Sequence, residues 1–143
     1  EKEINLLNEF QKTTKVPMMI GMDAEWGLFQ RIPTAHKFPW AMTLGAIQDK
    51  KLIYEMAAKI AQDSKRMGIN WDFAPVVDVN TNPNNPIIGN RSFGSEVDNV
   101  VKSAAAYSNG LQDQNILAAI KHFPGHGDTS TDSHLDLPVV SHK

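Results

Sequence analysis

An α/β fold with parallel strands is what this sequence predicts, on two observations. Helical and strand-like segments alternate along its 143 residues, and the connections after the strands are far longer than those before them. The first helix, residues 3 to 14, is weakly amphipathic. The apolar run Val16 to Met22 follows, continuous rather than alternating, as in a strand buried on both faces. The clearest helix spans about Asp49 to Met67, with Ile53, Met56, Ala57, Ile60 and Ala61 on one face and Gly68 as its stop. A second apolar run, Ile69 to Val77, reads as the next strand. The third helix is expected to start at Ser95, whose hydroxyl is placed to cap it, with Asp98 near the positive end and Val97, Val100, Val101, Ala104, Ala105 and Leu111 along it. Ile116 to Ile120 supplies the third strand. An order α, β, α, β, α, β requires right-handed helical crossovers between parallel strands.

Composition narrows the function classes. Apolar residues make up 41% of the chain and charged residues 21%, enough for a sizeable core in one ordinary domain or part of a larger one. Cysteine is absent, which excludes disulfides, thiolate metal sites and cysteine nucleophiles. Fourteen basic and sixteen acidic residues, scattered along the chain, create no field for nucleic acid or an anionic membrane surface. No apolar run approaches the length of a membrane span. The chain opens on Glu1-Lys2-Glu3 without an initiator methionine, so targeting is unreadable; the expected setting is the bacterial cell envelope or the outside of the cell rather than the cytoplasm.

Function is expected on one face, at the carboxyl ends of the strands, where the polar segments Asp23 to Trp40, Asp78 to Gly94 and Lys121 to Lys143 converge. The richest stretch runs Lys121-His122-Phe123-Pro124-Gly125-His126-Gly127-Asp128-Thr129, followed by Asp132-Ser133-His134. Lys121 and His122 directly follow an apolar strand and project at its carboxyl end, while Pro124, Gly125 and Gly127 enforce tight turns. Asp132 and His134 stand two apart, a spacing that lets the carboxylate accept from one ring nitrogen and leave the other for proton transfer. Asp23 with Arg31, and Arg91 in Gly89-Asn90-Arg91-Ser92-Phe93-Gly94, add charged groups from the other two loops. Such groups around a cleft suit a neutral polyhydroxylated ligand, and Trp26, Phe29, Trp40 and Phe93 are available to stack on its apolar face.

Each residue also has a structural reading. Asp78, alone at a strand end, is expected to serve as a turn or cap residue. His126 between two glycines is as suited to bracing its loop as to touching a ligand. Arg31 and Arg91 are able simply to pair with surface carboxylates. For Lys121, His122, Asp132 and His134 the convergence favours chemistry.

The run Lys121 to Asp128 with Asp132-Ser133-His134 resembles the signature of glycoside hydrolase family 3, in its β-N-acetylhexosaminidase branch. Three further segments carry the likeness in order: Gly21-Met22-Asp23-Ala24-Glu25-Trp26-Gly27 with Arg31, then Phe73-Ala74-Pro75-Val76-Val77-Asp78-Val79, then Asn90-Arg91-Ser92-Phe93-Gly94. The first loop reads Ala24-Glu25-Trp26 where many members of this branch carry Gln-Glu-Gly. The resemblance implies part of a TIM-type (β/α)8 barrel, of which residues 1–143 would hold about three strands and be incomplete at both ends, since a closed barrel takes roughly 250 residues. It implies cleavage of terminal β-linked N-acetylglucosamine, often from peptidoglycan fragments, by a retaining double displacement. Asp23, Arg31, Arg91, Lys121 and His122 would hold the non-reducing sugar, and His134 would be the general acid/base with Asp132 as its partner. The nucleophilic aspartate of the family lies on a later strand with no counterpart here, so the isolated chain is expected to be inactive.

No cofactor is expected. A β-glucosidase, a phosphorylase of the same family and a non-catalytic sugar-binding module are the alternatives, together with a zinc site built from His122, His126 and His134 with an aspartate, whose spacings match no familiar ligand pattern. An incomplete barrel exposes strand edges and apolar inner faces, so the isolated chain is expected to self-associate, and size-exclusion chromatography finding a compact monomer would contradict this.

Overall fold

Three short parallel strands, β1 (Gly21–Met22), β2 (Trp71–Asp72) and β3 (Leu117–Ala118), lie side by side in that order in the computed structural model, which describes residues 2–140. Gly21 pairs with Trp71 and Trp71 with Leu117; Met22 pairs with Asp72 and Asp72 with Ala118. The sheet is open among the described residues. Helix α1 (Lys2–Thr13) precedes β1, a short α2 (Ala41–Gly45) and the long α3 (Lys50–Arg66) connect β1 to β2, and α4 (Val97–Gln112) connects β2 to β3. The parallel α/β class predicted from the alternation is therefore the one observed.

Periodicity explains the two crossover helices. Ile53, Ala57, Ile60 and Ala61 of α3 meet Val100, Ala104, Tyr107 and Leu111 of α4 in one core with Ile116, Ala24 and Ala74. Fully burying each large aliphatic side chain is worth about 1.5–3 kcal/mol, which is why these stripes dominate the local preference. Gly110 lets the helices approach closely: a Cβ there would collide with the Tyr54 carbonyl and come within 2.8 Å of the Ala57 Cβ. Asp49 caps α3 through its side chain, which accepts from the Lys51 N–H at 3.0 Å.

Several expectations are corrected. Ser95 does not cap α4; the N-cap is Glu96, in extended conformation, and it makes no side-chain capping bond. Regular pairing covers only two residues of each strand, where the apolar runs suggested five to nine, because the flanking backbone bonds irregularly. The runs are also not buried on both faces. Val16, Met19, Leu117 and Ile120 are exposed, since the helices cover one side of the open sheet. The short α2 was not predicted, since five residues are too few for a 3.6-residue period to show. Phe93, expected to stack on a ligand, is 2% exposed and packs edge-on against Tyr107 in the core. No helix among the described residues is long and apolar enough to cross a membrane.

Candidate active site

The carboxyl ends of the three strands deliver the charged residues to one place. Asp23 and Glu25 follow β1 directly, and their spacing of two in an extended segment turns both carboxylates the same way. Lys121 follows β3 and is held by backbone bonds to β2's continuation: its N–H donates to the Pro75 carbonyl at 3.2 Å, and its own carbonyl accepts from Val77 at 2.7 Å. Its ammonium thereby sits between two acids, 2.9 Å from Asp23 Oδ1 and 2.8 Å from Glu25 Oε1. Arg91, at the end of a single 3-10 turn (Gly89–Arg91), grips Glu25 through both Nη2 (2.8 Å) and Nε (3.0 Å). Arg31 donates to the remaining oxygen of Asp23.

The network continues into the histidine loop. Arg91 Nη2 lies 3.2 Å from His122 Nε2, and His122 Nδ1 lies 2.6 Å from Asp78 Oδ2. Arginine has no lone pair to offer, so Nε2 accepts and the ring proton sits on Nδ1, donated to Asp78. The other Asp78 oxygen accepts the His126 N–H at 2.6 Å. Asp78 is therefore no mere turn residue: buried, it orients His122 and pins the loop. His126 braces, because Thr129 Oγ1 donates to the His126 carbonyl and accepts from its ring Nδ1, while Asn85 Nδ2 also donates to that carbonyl. Gly127 allows the loop to lie directly on Val79, whose backbone a Cβ would strike.

His134 and Asp132 form the expected pair. The carboxylate Oδ1 accepts from the ring Nδ1 at 2.7 Å and from the His134 backbone N–H at 2.9 Å. Those two bonds hold the Asp132 carboxyl below its ordinary range, so it is a carboxylate at neutral pH and Nε2 is the ring nitrogen left for proton exchange. His134 shares with Asp23, Arg31, Arg91, Lys121 and His122 the wall of one hollow of about 500 Å³. The structure thus brings together all the predicted binding residues and the predicted acid/base, with Asp132 behind His134. The aromatic wall is different from the one expected: Phe73 lines the hollow, whereas Trp26, Phe29, Trp40 and Phe93 do not. Among the described residues no group of three or more histidines and carboxylates is arranged to hold a metal ion, and His122 and His126 stand with ring centres 6.2 Å apart.

Electrostatics explain why the acids stay ionised. Burial pushes the carboxyls of Asp23, Glu25 and Asp78 up, but hydrogen bonds from Lys121 and Arg31, from Arg91 and Lys121, and from His122 and His126 outweigh it, and all three end below their ordinary values. Burial likewise lowers the Arg91 guanidinium, yet its bonds to Glu25 leave it raised. Glu25 was not among the predicted site residues, although its spacing from Asp23 was a usable signal. Asp72 was also missed, and it was legible as the one charge inside an apolar run.

Asp72 is fully buried beneath the site, accepts the Ala24 N–H at 2.9 Å, and leaves Oδ2 without a partner among the described residues. Burial above all, then the nearby Glu25 and Asp23 charges, push its carboxyl up to about 7, against the opposing pull of the Ala24 N–H and Lys121. An acid with a raised folded-state value binds more protons folded than unfolded, so the contribution of Asp72 to stability is full below its ordinary value of 3.8 and is lost as pH rises through about 7. By linkage the loss is about 4 kcal/mol. The Asp72→Asn variant is expected to flatten this slope in urea unfolding between about pH 4 and 7, and parallel profiles for both proteins would contradict it.

The residues match a family model described as the glycosyl hydrolase family 3 N terminal domain over residues 2–143. The chain belongs to glycoside hydrolase family 3. This family 3 chain is 42% identical over 137 residues to β-hexosaminidase A of Pseudoalteromonas piscicida, covering 92% of the chain and 23% of that protein. Among solved structures, a fungal multi-domain family 3 β-N-acetylglucosaminidase superposes with a TM-score of 0.93 at 38% identity, over 99% of this chain and 18% of the other. The family 3 β-N-acetylglucosaminidase of Paenibacillus sp. str. FPU-7 superposes with a TM-score of 0.85 at 38% identity, over 97% and 27%. The three parallel strands and their helices are thus those of the TIM-barrel-type domain of this family. The family 3 chain spans less than half the length of these relatives.

Proposed function

We propose that the full-length protein hydrolyses terminal, non-reducing β-linked N-acetylglucosamine from peptidoglycan fragments or related glycans, with retention at the anomeric carbon. The observation that carries this reading is His134, bonded to Asp132 at 2.7 Å and on the wall of the same hollow that holds the Asp23, Lys121, Glu25 and Arg91 network. Relatives named β-hexosaminidase and β-N-acetylglucosaminidase support it.

In this reading Asp23, Arg31, Arg91, Lys121 and His122 hold the sugar, since paired charges offer donors and acceptors at fixed angles to several hydroxyls. A carboxylate attacks the anomeric carbon while His134 Nε2 gives its proton to the departing glycosidic oxygen. Water then attacks the anomeric carbon from the face the aglycone left, displaces the carboxylate and passes a proton to Nε2, which restores the enzyme. The resemblance to family 3 implies a nucleophilic aspartate on a later strand, so the role is given to none of Asp23, Glu25, Asp78 and Asp132, which are engaged by cations, ring nitrogens or backbone N–H groups. We place it in a segment of the full-length protein beyond these residues.

The test is a substrate panel with the full-length protein, comparing chromogenic β-N-acetylglucosaminide with β-glucoside, each with and without inorganic phosphate. The expected result is preference for the N-acetylated sugar and release of free sugar whether or not phosphate is present. Preference for the glucoside, or release of a sugar 1-phosphate, would overturn it in favour of the corresponding alternative.

A further inference from the structure

Asp23 and Glu25 keep their carboxylates against Lys121 and Arg91 only while the backbone between them stays in place. Two buried residues from other elements grip that backbone from beneath. From β2, Asp72 Oδ1 accepts the Ala24 N–H at 2.9 Å. From α4, the Tyr107 hydroxyl lies 3.3 Å from the Ala24 carbonyl and 3.2 Å from the Glu25 carbonyl, and shares its proton between them. Gln30 Oε1 accepts the Glu25 N–H at 2.8 Å, and the Gly27 N–H donates to the Ala24 carbonyl at 2.8 Å, so each backbone polar group of residues 24 and 25 has a partner. Asp72 is itself fixed in the middle strand, registered against Met22 on one side and Ala118 on the other, with its own carbonyl accepting the Ala119 N–H at 3.2 Å. The side-chain bond to Ala24 is what its carboxyl contributes, and it comes with Oδ2 buried and without a partner among the described residues, a cost to the fold that an apolar side chain would not carry.

We propose that Asp72 is a positioning residue of the terminal-sugar site: together with Tyr107 it fixes the backbone of residues 23–25, and so sets how tightly the sugar is held without touching it. The inference rests on the glycosidase reading above and adds a group outside the hollow on which the affinity depends. Neither Asp72 nor Tyr107 lines the hollow, whereas Asp23 and Glu25 both do. The Lys121 ammonium is shared between those two acids at 2.9 and 2.8 Å, so a shift of the segment that carries them disturbs both contacts at once. Charge-assisted bonds of this length are directional, and a small misplacement of the groups that hold a substrate is expensive. His134 and Asp132 belong to another loop and bond to each other, so the proton-transfer pair is not part of this clamp.

The experiment titrates the full-length protein with N-acetylglucosamine in a calorimeter and follows thermal unfolding of the same samples. A pH of about 6 keeps the Asp72 carboxyl, pushed up to about 7 by its burial, mostly neutral like the amide that replaces it. Asp72→Leu keeps the bulk but removes the acceptor, and is expected to raise Kd about 10-fold or more. Asp72→Asn still offers an oxygen to the Ala24 N–H and is expected to bind within about 2-fold of wild type. Tyr107→Phe keeps the ring in the core, loses the hydroxyl, and is expected to raise Kd about 3- to 10-fold. An Asp72→Leu protein that unfolds at a lower temperature yet binds with an unchanged Kd would overturn the proposal, because Asp72 would then serve the fold alone. An Asp72→Asn protein as weak as Asp72→Leu would overturn it too, since the bond to Ala24 would not be the cause. Should Asp72→Leu fail to fold, Tyr107→Phe decides, and a Kd equal to that of wild type overturns the clamp. A wild-type protein that neither binds N-acetylglucosamine nor releases it from a chromogenic glycoside would overturn the glycosidase reading, and this one with it.

Discussion

Replacing His134 by alanine in the full-length protein is expected to cut turnover of a disaccharide substrate by about 10²–10⁴-fold, the usual contribution of a positioned acid/base. Its side chain is 74% exposed and, among the described residues, bonded only to Asp132 in its own loop, so the fold should survive the change. The loss should shrink for an aryl glycoside with a strongly acidic leaving phenol, which departs without protonation. Asp132→Ala should lose activity in the same pattern, because it frees the ring that the carboxylate aligns. Steady-state kinetics on the two leaving groups check this, and an equal loss on both would mean that His134 acts by binding rather than by proton transfer.

The second large effect is expected at Glu25. Its side chain is 6% exposed and is shared between Arg91 and Lys121, whose side chains are 20% and 16% exposed. Asp23 still faces Lys121 when Glu25 is removed, but Arg91 loses its only carboxylate partner among the described residues. Breaking a buried pair from one side costs about 3–5 kcal/mol because a desolvated charge is left behind. At roughly 2–4 °C per kcal/mol for a domain of this size class, Glu25→Ala should lower the unfolding temperature of the full-length protein by about 6–20 °C. It should also raise KM, since Arg91 would no longer be held beside the sugar. A thermal scan that leaves the transition where it was would show that the network contributes nothing to the fold.

How much of this was legible depends on the range of the interactions involved. Helices α3 and α4 announce themselves locally, because Ile53, Ala57, Ile60 and their counterparts repeat at helical spacing and burial rewards that spacing. The Asp132–His134 pair was legible for a similar reason, being two residues apart in one loop. Asp78 was misread because its partners, His122 and His126, are 44 and 48 residues away and only the parallel sheet brings them together. A clue existed in its place at the end of an apolar run, equivalent to that of Asp23 and of Lys121. Phe93 was misassigned because an aromatic residue in a polar loop looks available, whereas the loop turns it inward onto Tyr107. The true aromatic lining, Phe73, sat inside a segment that reads as strand core.

The central claim is that one hollow binds the terminal sugar while His134 exchanges the proton at its rim. The most direct test is the reaction of full-length His134→Ala with an activated N-acetyl-β-glucosaminide in the presence of azide, a nucleophile that needs no general base. The account predicts that azide restores turnover and that the product is the β-glycosyl azide, formed as azide displaces the enzyme's carboxylate from the anomeric carbon. Turnover unchanged by azide, with only free sugar released, would contradict it.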